Sequence, residues 1–196
     1  MDKTHFLYDL ITQCLENSVE LKFLKQGNIN DSSGSFIGQE NECELCCILD
    51  KDNWLEILAH ESCHMDQYLE ESPLWFHDLH EFNIWEVNRF IEPDIKLRAF
   101  KAVTELEIDC DKRALKKIKK YNLDIDIPKY IQKSNCYHQT YYYFHKFDIF
   151  YDFENIPFED KKLIEMYDNK KILDIDDIWC ENETLQYFLV RNNVKL

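Results

Sequence analysis

His60-Glu61-Ser62-Cys63-His64 places two imidazoles four residues apart, with a carboxylate beside the first. On a helix, residues at that spacing lie one turn apart on the same face, so both rings can reach one metal ion at the roughly 2.0–2.1 Å of a zinc–nitrogen bond. Glu61 then projects toward the open side of the metal. There a carboxylate takes the proton of an activated water and later hands it to a leaving amine. Metal-assisted hydrolysis is the chemistry this spacing can perform.

A solvated surface helix can carry the same five residues, so the surroundings decide. Trp54, Leu55, Ile57, Leu58, Ala59, Met65 and Leu69 make this segment mostly apolar, and burying two His and a Glu in it without a metal or other partners is costly. Asn53 with Glu56 three positions on resembles a capping box, and Pro73 follows, which predicts a helix running to Glu70. Ahead of it, Glu42–Leu49 alternates Cys43, Leu45, Cys47 and Leu49 with Glu44, Cys46 and Ile48, the pattern of a strand. A long helix is predicted over Ile95–Lys120. Its apolar stripe of Leu106, Cys110, Ala114 and Ile118 is flanked by the carboxylates of Glu105, Glu107, Asp109 and Asp111.

These residues together resemble the gluzincin-type zinc metallopeptidases. That family joins H-E-x-x-H on one helix to E-x-x-x-D on a later one, whose Glu is the third zinc ligand and whose Asp orients a histidine. Glu107–Asp111 fits the second motif and Ala114 extends it, while Glu105–Asp109 fits it as well. The two Glu residues stand about 200° apart around a helix, so the packed face decides between them. The resemblance implies Zn2+ held by His60, His64 and, in the preferred frame, Glu107, with Glu61 as general base and acid. Leu58–Tyr68 is also similar to small H-E-x-x-H proteins of bacteria and their phages. The likeness covers the strand through the middle helices and not the C-terminal third.

The resemblance further implies a peptide or protein substrate extended along a sheet edge, with Glu42–Leu49 as the edge strand. It also calls for an oxyanion donor from a separate element. Tyr137 and His138 are candidates, within an aromatic stripe that equally suits a core. A metzincin is excluded, because Gln67 and Glu70 occupy the positions where H-E-x-x-H-x-x-G-x-x-H requires Gly and a third His.

The chain has 196 residues, a length that favours a single domain over 1–196. With only 3 Gly and 4 Pro it has few tight-turn residues. The expected fold is therefore α+β and mainly helical, a minimal zincin-like domain with a small sheet on its N-terminal side. Phe6, Leu7, Leu10, Ile11, Cys14 and Leu15 predict a first helix that ends before Gly27, and the polar run Gly27–Gly38 reads as a loop. Trp85–Ile91 reads as a short helix, Tyr130–Phe147 as a long one after Pro128, and the tail from Phe158 as further helix. His77 and His80 fall in a predicted loop.

A formal net charge of -15 repels phosphate backbones and excludes nucleic acid as a partner. No signal segment and no apolar run of membrane-spanning length is present, which predicts a cytoplasmic protein with no membrane partner. The 8 Cys are irregularly spaced and read as reduced, mostly buried thiols. Cys43-x-x-Cys46 lacks the second pair that a zinc ribbon needs. Two other function classes remain: a zinc-stabilised binding or regulatory protein without turnover, and a metal-free acidic interaction protein.

Overall fold

Asp2 starts the first helix by satisfying its amides. Its carboxylate accepts from the backbone N–H of Thr4 (3.0 Å) and His5 (3.2 Å), and α1 (Lys3–Glu16) follows with Phe6, Leu10 and Cys14 buried. A computed structural model of the chain describes residues 2–25, 33–39, 42–78, 92–147, 157–181, 183–184 and 187–188. Within them run β1 (Glu20–Leu24), β2 (Gly34–Gln39), β3 (Glu42–Ile48), α2 (Trp54–Leu69) and a π-helical turn (Leu74–Asp78). The helices α3 (Pro93–Tyr121) and α4 (Ile127–Phe147), a 3-10 turn (Pro157–Glu159), α5 (Lys161–Glu165) and α6 (Ile175–Ile178) complete them. The fold is α+β and mainly helical, with a small three-stranded sheet. Its residues group into two compact units, Met1–Trp75 with Cys110–Ile125 and Phe76–Asp109 with Asp126–Leu196, so that α3 is shared between them.

In the first unit the sheet has the order β1-β3-β2, with β1 parallel and β2 antiparallel to β3. β3 is therefore central, not the edge strand that the sequence predicts. Leu45, Cys46, Cys47 and Ile48 are all buried, and the ladder engages β3 on both sides. β2 lies at an edge, inside the run predicted to be a loop. Its glycines serve close approach to α2: a β-carbon at Gly34 would stand 2.4 Å from Ile57 Cγ2, and one at Gly38 2.6 Å from the Tyr68 ring. Residues without side chains leave no hydrophobic alternation, which is why the strand is hidden in the sequence. β1 is only five residues long, too short for periodicity to register, and pairs Leu21 with Leu45 and Phe23 with Cys47.

α2 begins after Asn53, but the predicted capping box does not form. Asn53 has φ -101 and ψ 18, outside the extended conformation a capping side chain uses, and it makes no side-chain cap bond. The three longer helix ends in this unit close without glycine. Ser18, Glu71 and Asn122 adopt φ of 57, 54 and 48, and the next residues bond back: Val19 N–H to Cys14 O (2.9 Å), Ser72 N–H to Gln67 O (2.9 Å) and Leu123 N–H to Ile118 O (3.0 Å). α3 carries Pro93 at its first position and Lys119 and Lys120 in its last turn, as a helix dipole favours.

In the second unit, Cys136, Tyr143, Leu163, Ile164, Tyr167 and Phe188 form one core cluster. The tail is held less by its own helices, which are short, than by buried amides on α4. Asn135 Nδ2 donates to the carbonyls of Asp168 and Lys171 (both 3.0 Å) while its Oδ1 accepts from Leu173 N–H at 2.8 Å. Gln139 Nε2 donates to the carbonyls of Ile178 (2.9 Å) and Cys180 (3.2 Å). These side chains satisfy carbonyls that would otherwise need a helix or sheet. The predicted helix at Trp85–Ile91 and residue His80 lie outside the described residues.

Candidate metal centre

α2 sets His60 and His64 one turn apart, the first half-buried and the second buried. Each ring is fixed through Nδ1. His60 Nδ1 lies 2.8 Å from the Asp111 carboxylate oxygen Oδ1 on α3, and His64 Nδ1 lies 2.8 Å from Gln67 Oε1 on its own helix. The two Nε2 atoms face each other at 3.2 Å, and a ring that donates through Nδ1 offers its lone pair at Nε2. The rings meet edge to face, 4.8 Å between centroids at 83°. Two ligands on a tetrahedral ion with bonds of about 2.0–2.1 Å stand about 3.3 Å apart, so this donor pair fits zinc.

A third possible ligand is Cys110 Sγ, which lies within 4.8 Å of one nitrogen of each imidazole. It lies 3.6 Å from His60 Nδ1 and donates to the His60 carbonyl at 3.2 Å. Asp111 already occupies that nitrogen.

Glu61 is half-buried beside His60, and its Cγ would lie 3.1 Å from a β-carbon at Gly34. The bare strand at Gly34 is what gives this side chain room. The Cys47 thiol is pushed up to about 12, chiefly by burial and next by the negative field of Glu61. On α3 Glu107 is buried (8 % exposed) together with Asp111 (3 %), whereas Glu105 is exposed; the group of possible ligands among the described residues is His60, His64 and Cys110, without either glutamate. The Asp111–His60 bond is the one that the Glu107–Asp111 frame implies. Glu107 itself belongs to the second unit, one helical turn before Asp111.

The last turns of α3 are clamped to α2 by a network that sequence inspection does not find. Lys117 Nζ donates to Ser62 O (3.1 Å) and Ser62 Oγ (2.9 Å) and pairs with Asp66 Oδ2 (2.7 Å). Gln13 Nε2 on α1 donates to Asp66 Oδ1 at 2.9 Å, and Arg113 pairs with Glu70 at 2.6 Å. Gln67 is the other unforeseen residue, since at the sequence level it only marks the place where a metzincin has glycine. Beyond His64, the Trp75 ring stands 5.7 Å from the imidazole and 5.5 Å from Phe36 of β2.

Tyr137 and His138 belong to the second unit. His138 is fully buried there, and Tyr137 shares a 2.7 Å hydrogen bond with Tyr141, both consistent with a core role. Cys46 and Cys47 are buried as predicted, Cys43 is half-buried, and no disulfide joins the eight cysteines. Among the described residues no helix is long and apolar enough to cross a membrane. No family model matches the chain, and neither a curated protein nor a solved structure matches it.

Proposed function

We propose that the chain is a zinc-dependent metallopeptidase with His60, His64 and Glu107 as the zinc ligands and Glu61 as general base and acid. The observation that carries this reading is the pair of Nε2 atoms 3.2 Å apart, each on a ring whose Nδ1 faces a side-chain oxygen at 2.8 Å. Two ring nitrogens at that distance can share a proton or a metal ion, and the spacing is the one that two ligands of a tetrahedral zinc ion keep. Glu107 enters through the Glu107–Asp111 frame, one helical turn before the Asp111 that bonds His60.

Bound zinc supplies a Lewis acid that polarises the scissile carbonyl and makes water more acidic. Glu61 accepts the proton of the attacking water and delivers it to the leaving amine. Asp111 keeps His60 oriented throughout. The outer edge of β2, next to Glu61, suits an extended peptide that adds to the sheet backbone to backbone. The substrate is accordingly a peptide or protein, not a nucleic acid, and the lack of disulfides among the eight cysteines fits a reducing compartment such as the cytoplasm.

Cys110 favours a second reading, a zinc site that only stabilises the fold of a binding or regulatory protein, because a nearby thiol can close a structural site. Metal analysis and Glu61→Gln separate the two. The metallopeptidase carries about one equivalent of zinc, cleaves quenched fluorescent peptides, and on Glu61→Gln keeps its zinc while losing at least about 100-fold in rate. Zinc without cleavage leaves the stabilising role. A protein that takes up no zinc overturns both.

A further inference from the structure

We infer that Gln67 is a positioning residue for His64, holding it as the Nδ1–H tautomer so that Nε2 is the nitrogen offered to a metal ion. The inference rests on the metal reading above and assigns how one of its ligands is prepared. A neutral histidine left to itself favours the proton on Nε2, and in that form the atom facing His60 is a donor and cannot ligate. Each ring therefore needs an acceptor at Nδ1. For His60 the acceptor is a carboxylate brought by another helix. For His64 it is an amide three residues further along the same helix, at 2.8 Å.

Three observations make Gln67 more than a neighbour. It is fully buried in α2 between Met65 and Leu69, where an amide is costly unless its oxygen and N–H groups are used. Its backbone is fixed by the end of the helix, where its carbonyl accepts from Ser72 N–H at 2.9 Å with Glu71 in the left-handed region at φ 54. Asp66, the adjacent carboxylate, is drawn to Lys117 at 2.7 Å and to Gln13 at 2.9 Å. The neutral amide thus sets the tautomer of His64 without adding a second negative charge beside the one Asp111 brings to His60.

The test reads the tautomer directly. Long-range 1H–15N correlation spectra of labelled protein, with zinc and after chelation, are expected to show His64 protonated at Nδ1. A wild-type spectrum with the proton on Nε2 overturns the assignment. Gln67→Met keeps the side chain's length and removes the amide, and is expected to move the proton to Nε2 in the chelated protein and to weaken zinc binding by about 10–100-fold. Gln67→Glu restores an acceptor and is expected to bind zinc at least as tightly as wild type. A folded Gln67→Met protein with unchanged tautomer and zinc affinity overturns the inference, as does a folded Gln67→Glu protein that loses zinc; should Gln67→Met not fold, the wild-type spectrum and Gln67→Glu decide. His64 protonated at Nδ1 in a protein that takes up no zinc overturns the metallopeptidase reading and leaves the tautomer assignment standing.

Discussion

Asp111 on α3 accepts a hydrogen bond from His60 on α2 at 2.8 Å, across 51 residues of sequence. The bond turns the ring so that Nε2 points at its counterpart on His64, and the carboxylate raises the ring's basicity as a ligand. Asp111→Ala is expected to weaken zinc binding by about 10–100-fold, and Asp111→Asn, which keeps an acceptor without the charge, by less. Competition against a chromophoric chelator measures both. An Asp111→Ala protein that folds and binds zinc like wild type contradicts the role.

Gly34 gives Glu61 its place. A β-carbon there would meet Ile57 Cγ2 at 2.4 Å, Glu61 Cγ at 3.1 Å and Cys46 O at 3.3 Å, and neither the strand nor the helix can retreat cheaply from a packed sheet. Gly34→Ala is expected to destabilise by about 1–3 kcal/mol in denaturant unfolding, the usual range for overpacking. Adding Ile57→Ala, which removes the nearest atom, should return part of that loss. If the two substitutions destabilise additively, the contact is not the cause.

The residues with the strongest spacing signal were the most legible. His60, Glu61 and His64 are read directly from their spacing, while Asp111 is reached only as one of two frames, because Glu105 and Glu107 both flank the apolar stripe and the packed face is not written in the spacing. The long helices α3 and α4 are found by the same periodicity. What stayed hidden is contact-determined. β2 owes its existence to glycines that fit under α2, and the central position of β3 depends on β1, whose five residues give no independent signal. Gln67 and Lys117 act through hydrogen bonds to specific atoms, and nothing about an isolated Gln or Lys announces such a partner.

Lys117 ties the two site helices together through Ser62 and Asp66, with the lysine and aspartate side chains only 19 % and 16 % exposed. That burial makes its bonds stronger than those of a surface pair, though not those of a dry interior. Lys117→Met is expected to cost about 1–3 kcal/mol, since it leaves the Asp66 carboxylate to Gln13 and takes a donor from the Ser62 carbonyl. Asp66→Asn in the same protein should recover part of the loss by removing the uncompensated charge. A double substitution that is simply additive denies the ion pair any share in stability.

Two buried thiols give the first unit a dependence on alkaline pH. Cys14 is pushed up from 9.0 to about 11, by burial and then by nearby Cys43, with Lys117 opposing; Cys47 is pushed up from 9.0 to about 12, by burial and then by Glu61 and Cys46. Both thiols hold their protons more tightly in the folded chain than in the unfolded one. Their contribution to stability is therefore complete below pH 9 and is lost as pH rises toward 11 and 12, because only the unfolded chain gains by ionising. Urea midpoints measured at increasing pH should hold steady up to that point and then decline. Tyr143, also pushed up to about 12 by burial, contributes to the same decline from the second unit. Cys47→Ala isolates the thiol term: its midpoint should fall less steeply with pH than that of wild type, and an identical slope would show that Cys47 ionises in the folded chain as readily as in the unfolded one.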